Sequence, residues 1–254
     1  MSAGFRAAYV TGASSGLGAE IARQLAARGT RVVLAARRVE ALEALAAELR
    51  AAGGAADAAP VDVADADAVR AEVARWDDEL ELDLVLANAG VSDATPAHSL
   101  RWEHVEPVLR VNALGAVATL HAGLERMLPR GRGTLAGMSS LAAYRGLPGS
   151  GAYAASKACL STFLETLRSD LAGTGVRAVD LRPGFVRTPM TDGARFPMPF
   201  LMDVEPAAKR CVRALLKGEA IAAFPPPMWL GMGVAQSLPN ALWRGLARLL
   251  PRTR

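Results

Sequence analysis

The chain has 254 residues, 51% of them apolar, with a net charge of +4 and two cysteines. That length and composition suit an α/β fold with a sizeable core and exclude a long disordered chain. The small positive excess is not clustered among aromatics, which excludes a nucleic-acid partner, and no apolar run reaches the ~18 residues of a membrane span.

Strand and helix patterns alternate along the chain. Residues 7–10 read as a buried strand, followed by a glycine turn and a helix over 17–28. A second strand is expected at 31–35. A helix over 40–52 follows, with Leu42, Leu45 and Leu49 at helical spacing. Then come a strand at 58–63, a helix at 66–79 with Asp65 as its cap, and a strand at 82–87. Residues 98–128 read as a long helix interrupted near Pro107. The remaining pattern is strand 134–138, helix 152–172, strand 176–181, helix 205–216 and strand 220–224. Such alternation predicts a doubly wound parallel sheet of about seven strands, Rossmann-type, with helices on both faces. No linker composition interrupts it, so residues 1–254 are expected to form a single dinucleotide-binding and catalytic domain. Cys159 and Cys211 fall in helical patterns and are expected as buried, reduced thiols of a cytoplasmic chain. His98, His104 and His121 have no metal-ligand spacing, and no metal site is expected.

Two stretches carry chemistry. In Tyr153-Ala154-Ala155-Ser156-Lys157 the phenol and the amine are four apart, hence on one helical face. An ammonium group near a phenol brings its pKa down from ~10 towards working range. Ser140, at the end of an apolar strand, could share a carbonyl oxygen with Tyr153. Thr11-Gly12-Ala13-Ser14-Ser15-Gly16-Leu17-Gly18 lies between a strand and a helix. Its glycines suit a tight turn, an approach of backbone to a pyrophosphate and close helix–sheet packing. The ordinary alternatives are a surface pair on a helix and a glycine-rich connection without ligand.

With Ala87-Asn88-Ala89-Gly90, Asn112 and Arg182-Pro183-Gly184, the chain resembles the short-chain dehydrogenase/reductase family, in its single-domain branch, from about residue 6 to about residue 224. The resemblance implies a carbonyl–alcohol oxidoreductase with Asn112, Ser140, Tyr153 and Lys157 as catalytic residues. Tyr153 would be the acid/base, Lys157 its activator and ribose ligand, and Asn112 part of a proton relay. It also implies a dinucleotide site formed by Gly12, Ser14, Ser15, Gly16, Leu17, Gly18, Arg37, Asp62, Val63, Asn88, Ala89, Gly90, Tyr153, Lys157, Pro183, Gly184, Val186 and Thr188. Asp62 would meet the adenine amino group and Thr188 the carboxamide. Ala36 stands where NAD-preferring relatives carry Asp, and Arg37 follows it. A guanidinium pairs with a 2′-phosphate, so NADP (NADPH) is the expected cofactor, with NAD the alternative. Residues 141–151 and a lid at 184–203, with Met190, Phe196 and Phe200, would wall a pocket for a bulky apolar substrate. Relatives pair the helices matching 98–128 and 152–172, so a homodimer or homotetramer is expected. The rival readings are an NAD-dependent alcohol dehydrogenase and a non-catalytic dinucleotide-binding sensor or scaffold.

Residues 225–254 form an apolar, basic extension. Leu242, Leu246, Leu249 and Leu250 fall on one helical face, Arg244 and Arg248 on another, with Trp243 at the border. Packing on the protein's own pocket side or on a sister subunit is the expected role. Peripheral membrane contact is the minority alternative.

Overall fold

The computed structural model describes residues 4–192 and 197–248. Seven strands form one sheet: β1 Ala7–Thr11, β2 Arg31–Ala36, β3 Ala55–Pro60, β4 Leu84–Ala87, β5 Gly133–Met138, β6 Val176–Pro183 and β7 Ile221–Phe224. Their spatial order is β3-β2-β1-β4-β5-β6-β7, and every neighbouring pair is parallel. The helices are α1 Gly16–Ala26, α2 Val39–Ala51, α3 Ala66–Leu80, α4 Trp102–Leu109, α5 Ala116–Arg130, α6 Gly151–Asp170, α7 Val204–Lys217, α8 Pro226–Ser237 and α9 Asn240–Ala247.

Strand alternation divides the core between the two faces. Val10, Leu34 and Leu86 pack with Ile21 and Leu25 of α1, Leu42 of α2 and Leu215 of α7. Tyr9, Val33 and Val85 pack with Val73 of α3, Leu120 of α5 and Leu164 of α6. With both faces covered, all five positions of β1 are buried, which is why that strand reads as a continuous apolar run. The strand order reverses between β1 and β4. In open sheets of this kind the crevice at the carboxyl ends of the strands flanking the reversal takes the ligand. Here those ends lead into Gly12 and Asn88.

Four features differ from the sequence expectation. β3 begins at Ala55, three residues early, because its alanine-rich sequence carries no β-branched signal. The break in the long helix is a π-helical turn over Arg110–Gly115, one turn past Pro107. It is held by the side chain of Asn112 and by Gly115, where a Cβ would collide with the carbonyl of Val63. Residues 226–237 form a helix despite their prolines, because Pro226 and Pro227 occupy its first turn, where a missing N–H costs nothing. Cys159 is exposed on α6, whereas Cys211 is buried. Asp65 caps α3 as expected, accepting from Asp67 N and Ala68 N.

Candidate active site

The glycine turn is locked to the end of β4 by side-chain bonds. Thr11 Oγ1 accepts from Asn88 N at 2.9 Å and Ala89 N at 3.0 Å, and Asn88 Nδ2 donates to Thr11 O at 2.8 Å. Gly12 has φ +67°, and a Cβ there would stand 2.7 Å from Ala89 Cα, so no other residue fits. A Cβ on Gly18 would stand 2.5 Å from Gly12 O. These two glycines therefore hold the turn shut against the protein itself. Gly16 instead faces Thr188, with its Cβ position 3.3 Å from Thr188 Cβ. The first turn of α1 has no side-chain cap bond and no acid, so its N–H groups and dipole suit an anion. A dinucleotide pyrophosphate fits this cradle by its chemistry.

Beyond β2 the two arginines part. Arg38 Nη2 donates to Ser14 Oγ at 2.9 Å and Ser15 Oγ at 2.8 Å. Arg37 is exposed and lies 3.9 Å from Asp62 Oδ2. Sequence reasoning named Arg37 alone; the signal for Arg38 was its adjacency in a pair of arginines facing two serines. Asp62 Oδ1 also accepts from Ala64 N at 3.0 Å, and Val63 is buried.

Ser140, Tyr153 and Lys157 come together at the ends of β5 and α6. Ser139 fastens the two elements, donating to Lys157 O at 3.0 Å and sharing a 2.7 Å bond with Ser161 Oγ. Ser140 Oγ accepts from Ala142 N at 3.1 Å and donates to Pro183 O at 3.5 Å, and its hydroxyl neighbours the phenol of Tyr153. Lys157 Nζ lies 5.7 Å from the centre of the Tyr153 ring and donates to Met138 O at 2.7 Å. Burial raises the pKa of Tyr153, and the Ser140 bond works against it. Burial pushes Lys157 down to about 8, opposed by the charge of Asp180. Its amine therefore carries most of a charge at neutral pH.

Asn112 is buried and fully bonded. Its Oδ1 accepts from Val91 N at 2.8 Å, and its Nδ2 donates to Val91 O at 2.9 Å and Ser156 Oγ at 3.1 Å. It thus ties the loop after β4 to α6. A Cβ on Gly90 would lie 3.3 Å from Asn112 Oδ1 and 3.4 Å from Lys157 Nζ, so Gly90 keeps an approach to the lysine open.

Behind Lys157 lies a charged group that sequence reasoning missed. Asp180 is fully buried on β6, and its Oδ2 accepts from Arg182 Nε at 2.8 Å. Its Oδ1 has no partner among the described residues. The Arg182 guanidinium lies 4.8 Å from the centre of the Tyr144 ring. An acid and a base two apart in an apolar strand share a face, and that was the available signal.

On the substrate side, residues after Pro183-Gly184 are pinned at their base. Arg187 N donates to Met202 O at 2.8 Å and Met202 N to Phe185 O at 3.0 Å. Met190 Cε lies 3.8 Å from the Cβ position of Gly90, beside the lysine. Phe200 is exposed with φ +56°. Phe196, expected in the pocket wall, lies outside the described residues. Tyr144 faces α8 across an apolar groove of about 540 Å³. Among the described residues no cluster of His, Cys, Asp or Glu could hold a metal, and no helix is long and apolar enough to cross a membrane.

The family model for short chain dehydrogenases matches residues 6–197. An uncharacterized oxidoreductase of Myxococcus xanthus (strain DK1622) is 47% identical over 247 residues, covering 97% of this chain and 98% of that one. The 1-deoxy-11-beta-hydroxypentalenate dehydrogenase of Streptomyces exfoliatus is 39% identical over 196 residues, covering 76% and 71% respectively. The crystal structure of a short chain dehydrogenase from Burkholderia cenocepacia J2315 in complex with NADP superposes with a TM-score of 0.76 at 29% identity, covering 85% of this chain and 93% of that one.

Proposed function

The chain belongs to the short-chain dehydrogenase family and is an NAD(P)-dependent oxidoreductase, and we propose that it interconverts a carbonyl and an alcohol on a bulky apolar substrate with NADP(H). The observation that carries this reading is the meeting of Ser140 and Tyr153 beside the buried Lys157. A pure dinucleotide sensor has no use for a phenol so positioned. Bound NADPH supplies the hydride.

The chain's own residues supply orientation and the proton. Ser140 donates to the substrate oxygen and holds it against the phenol. Tyr153 gives its proton to that oxygen as the carbonyl is reduced and takes it back in the reverse direction. Its raised pKa keeps the phenol protonated, which suits the acid role in reduction. Lys157 releases the Met138 carbonyl, holds the nicotinamide ribose and faces the phenolate, favouring its charge. Asn112 sets the spacing between the loop after β4 and α6, and thereby the lysine's route to solvent. Gly12, Ser14, Ser15, Gly16, Leu17 and Gly18 hold the pyrophosphate end. Asp62, Val63, Asn88, Ala89 and Gly90 line the adenosine side, and Pro183, Gly184, Val186 and Thr188 the nicotinamide side.

The preference for NADP rests on Arg37 and Arg38 and on the absence of an acid at the end of β2. Residues 184–203 act as the lid, with Met190 closing over the lysine. An apolar substrate is supported by Met190, Phe200 and Tyr144. The subunit forms a homodimer or homotetramer through α6 and the α4–α5 side, the latter exposing Trp102, Leu114 and Leu128. A panel of carbonyls and alcohols, followed by the absorbance of the reduced nicotinamide, tests the reading. Cofactor binding without turnover on any carbonyl would return the chain to the sensor class.

A further inference from the structure

The C-terminal extension is anchored at a few points and leaves much of its apolar surface uncovered. Met228 packs on Gly184, with its Sδ 2.8 Å from the Cβ position, and Ala235 is buried. Arg145 donates to Gln236 O at 3.3 Å and Asn240 Oδ1 at 2.7 Å, and lies 5.6 Å from the centre of the Trp243 ring. These bonds fasten α8 and α9 beside the turn that follows Ser140. Yet Trp229, Leu230 and Val234 of α8, and Leu242 and Leu246 of α9, remain exposed, Val234 at 64% and Leu242 at 59%. Leu230 with Val234, and Leu242 with Leu246, are spaced four apart, so each pair lies on one side of its helix. The groove bounded by Tyr144, Trp229, Leu230 and Val234 opens on this surface. The tail therefore does not bury its own apolar side on the pocket wall.

Charge decides which occupant suits that surface. From Ala220 to Arg254 the sequence has four arginines and no Asp or Glu. Arg244 and Arg248 are exposed, and neither has an acidic partner among the described residues. A second copy docked tail to tail would set one acid-free segment against another and offer these arginines no anion. An anionic lipid surface offers both an apolar layer and a plane of phosphates. Tryptophan suits the boundary between the two. We propose that the exposed surface of α8 and α9 docks the protein on an anionic lipid membrane, with the leucines and Val234 entering the acyl boundary and Arg244 and Arg248 among the headgroups. The attachment is peripheral, and it gives an apolar substrate dissolved in the bilayer a path along the groove towards Tyr144.

The test is co-sedimentation of the full chain with vesicles of phosphatidylcholine alone and of phosphatidylcholine with phosphatidylglycerol, at low and high salt. Bound NADPH reports folding, so the result does not depend on turnover. The parent should pellet with the anionic vesicles and be released by salt. Each basic residue near such a surface is worth roughly a factor of five, so Arg244→Glu with Arg248→Glu should weaken binding at least ~25-fold. Leu242→Glu with Leu246→Glu should also abolish pelleting while leaving the mass in lipid-free solution unchanged. A parent that stays in the supernatant with anionic vesicles would overturn the proposal. So would a loss of oligomer mass in the leucine variant without lipid, which would make this surface a subunit contact.

Discussion

Asp180→Asn removes the one anion that faces two buried cations. Lys157 is 3% exposed, and its pKa falls from 10.5 to about 8 although Asp180 pulls it upward. That fall is worth about 3 kcal/mol against the charged amine. It is what remains after the carboxylate has acted, so neutralising Asp180 must let Lys157 lose its proton at lower pH. The folded value lies below the unfolded one, so the lysine's cost to stability is full below about pH 8 and disappears as pH rises through 10.5. The variant should therefore lose most at neutral pH, and its deficit should narrow in alkali, where Lys157 is neutral in both proteins. Arg182 is also stranded, because its 2.8 Å bond to the carboxylate loses the charge that balanced it. Breaking a buried pair from one side costs about 3–5 kcal/mol. At roughly 2–4 °C per kcal/mol for a chain of this size, the melting midpoint should drop by about 6–20 °C. The kinetic readout is the pH dependence of kcat/KM for NADPH-driven reduction, which should fall above about pH 8 in the parent and at a lower pH in the variant. A double variant, Asp180→Asn with Arg182→Gln, removes the stranded cation and keeps the lysine readout if the single change unfolds. An alkaline limb that stays at the parent's pH in both variants would refute the coupling of Asp180 to Lys157.

Tyr153→Phe should lower kcat by about 10²–10⁴ and leave the Kd for NADPH within a few-fold; a variant within a few-fold of the parent in kcat would exclude the phenol as the acid/base. Arg37→Asp should shift the ratio of NADPH to NADH Kd towards NADH by about 10- to 150-fold, from the loss of one charge-assisted contact. Arg38→Ala measured beside it apportions the preference between the two arginines, and a ratio unmoved by either would assign it elsewhere. Gly18→Ala should weaken NADPH binding at least ~10-fold, because its Cβ would stand 2.5 Å from Gly12 O and spread the turn; titration of nicotinamide fluorescence checks this. Light scattering at micromolar concentration should give a dimer or tetramer, and a monomer would remove the α4–α5 contact.

The parts of the molecule legible in its sequence are those where geometry admits few residue types. Gly12 at φ +67° against Ala89 admits only glycine, and the four-residue spacing of Tyr153 and Lys157 survives any detail of packing. The sheet was legible because strands buried on both faces must be apolar throughout. Features that depend on contacts distant in sequence were not legible. The π-helical turn at Arg110–Gly115 is set by the carbonyl of Val63 and the backbone of Val91, which no local pattern around Asn112 announces. The upward shift of Tyr153 comes from its burial, which its spacing to Lys157 does not announce, and the acceptor of Lys157, Met138 O, belongs to a strand. In the extension, three consecutive prolines masked a helix that begins on two of them.

Asp180 joins these lessons to the chemistry. A protein gains little stability from a buried carboxylate with one unpartnered oxygen, and a well-packed apolar pair of similar volume would serve the fold as well. The lysine beside it is also held at a cost, since burial alone works against its charge. Two such costs side by side make sense together, because the buried carboxylate favours the charge of the buried ammonium. In this reading the fold tolerates Asp180 and Arg182 for the sake of the protonation state of Lys157, and a stability cost at β6 accompanies the acid/base pair proposed at α6.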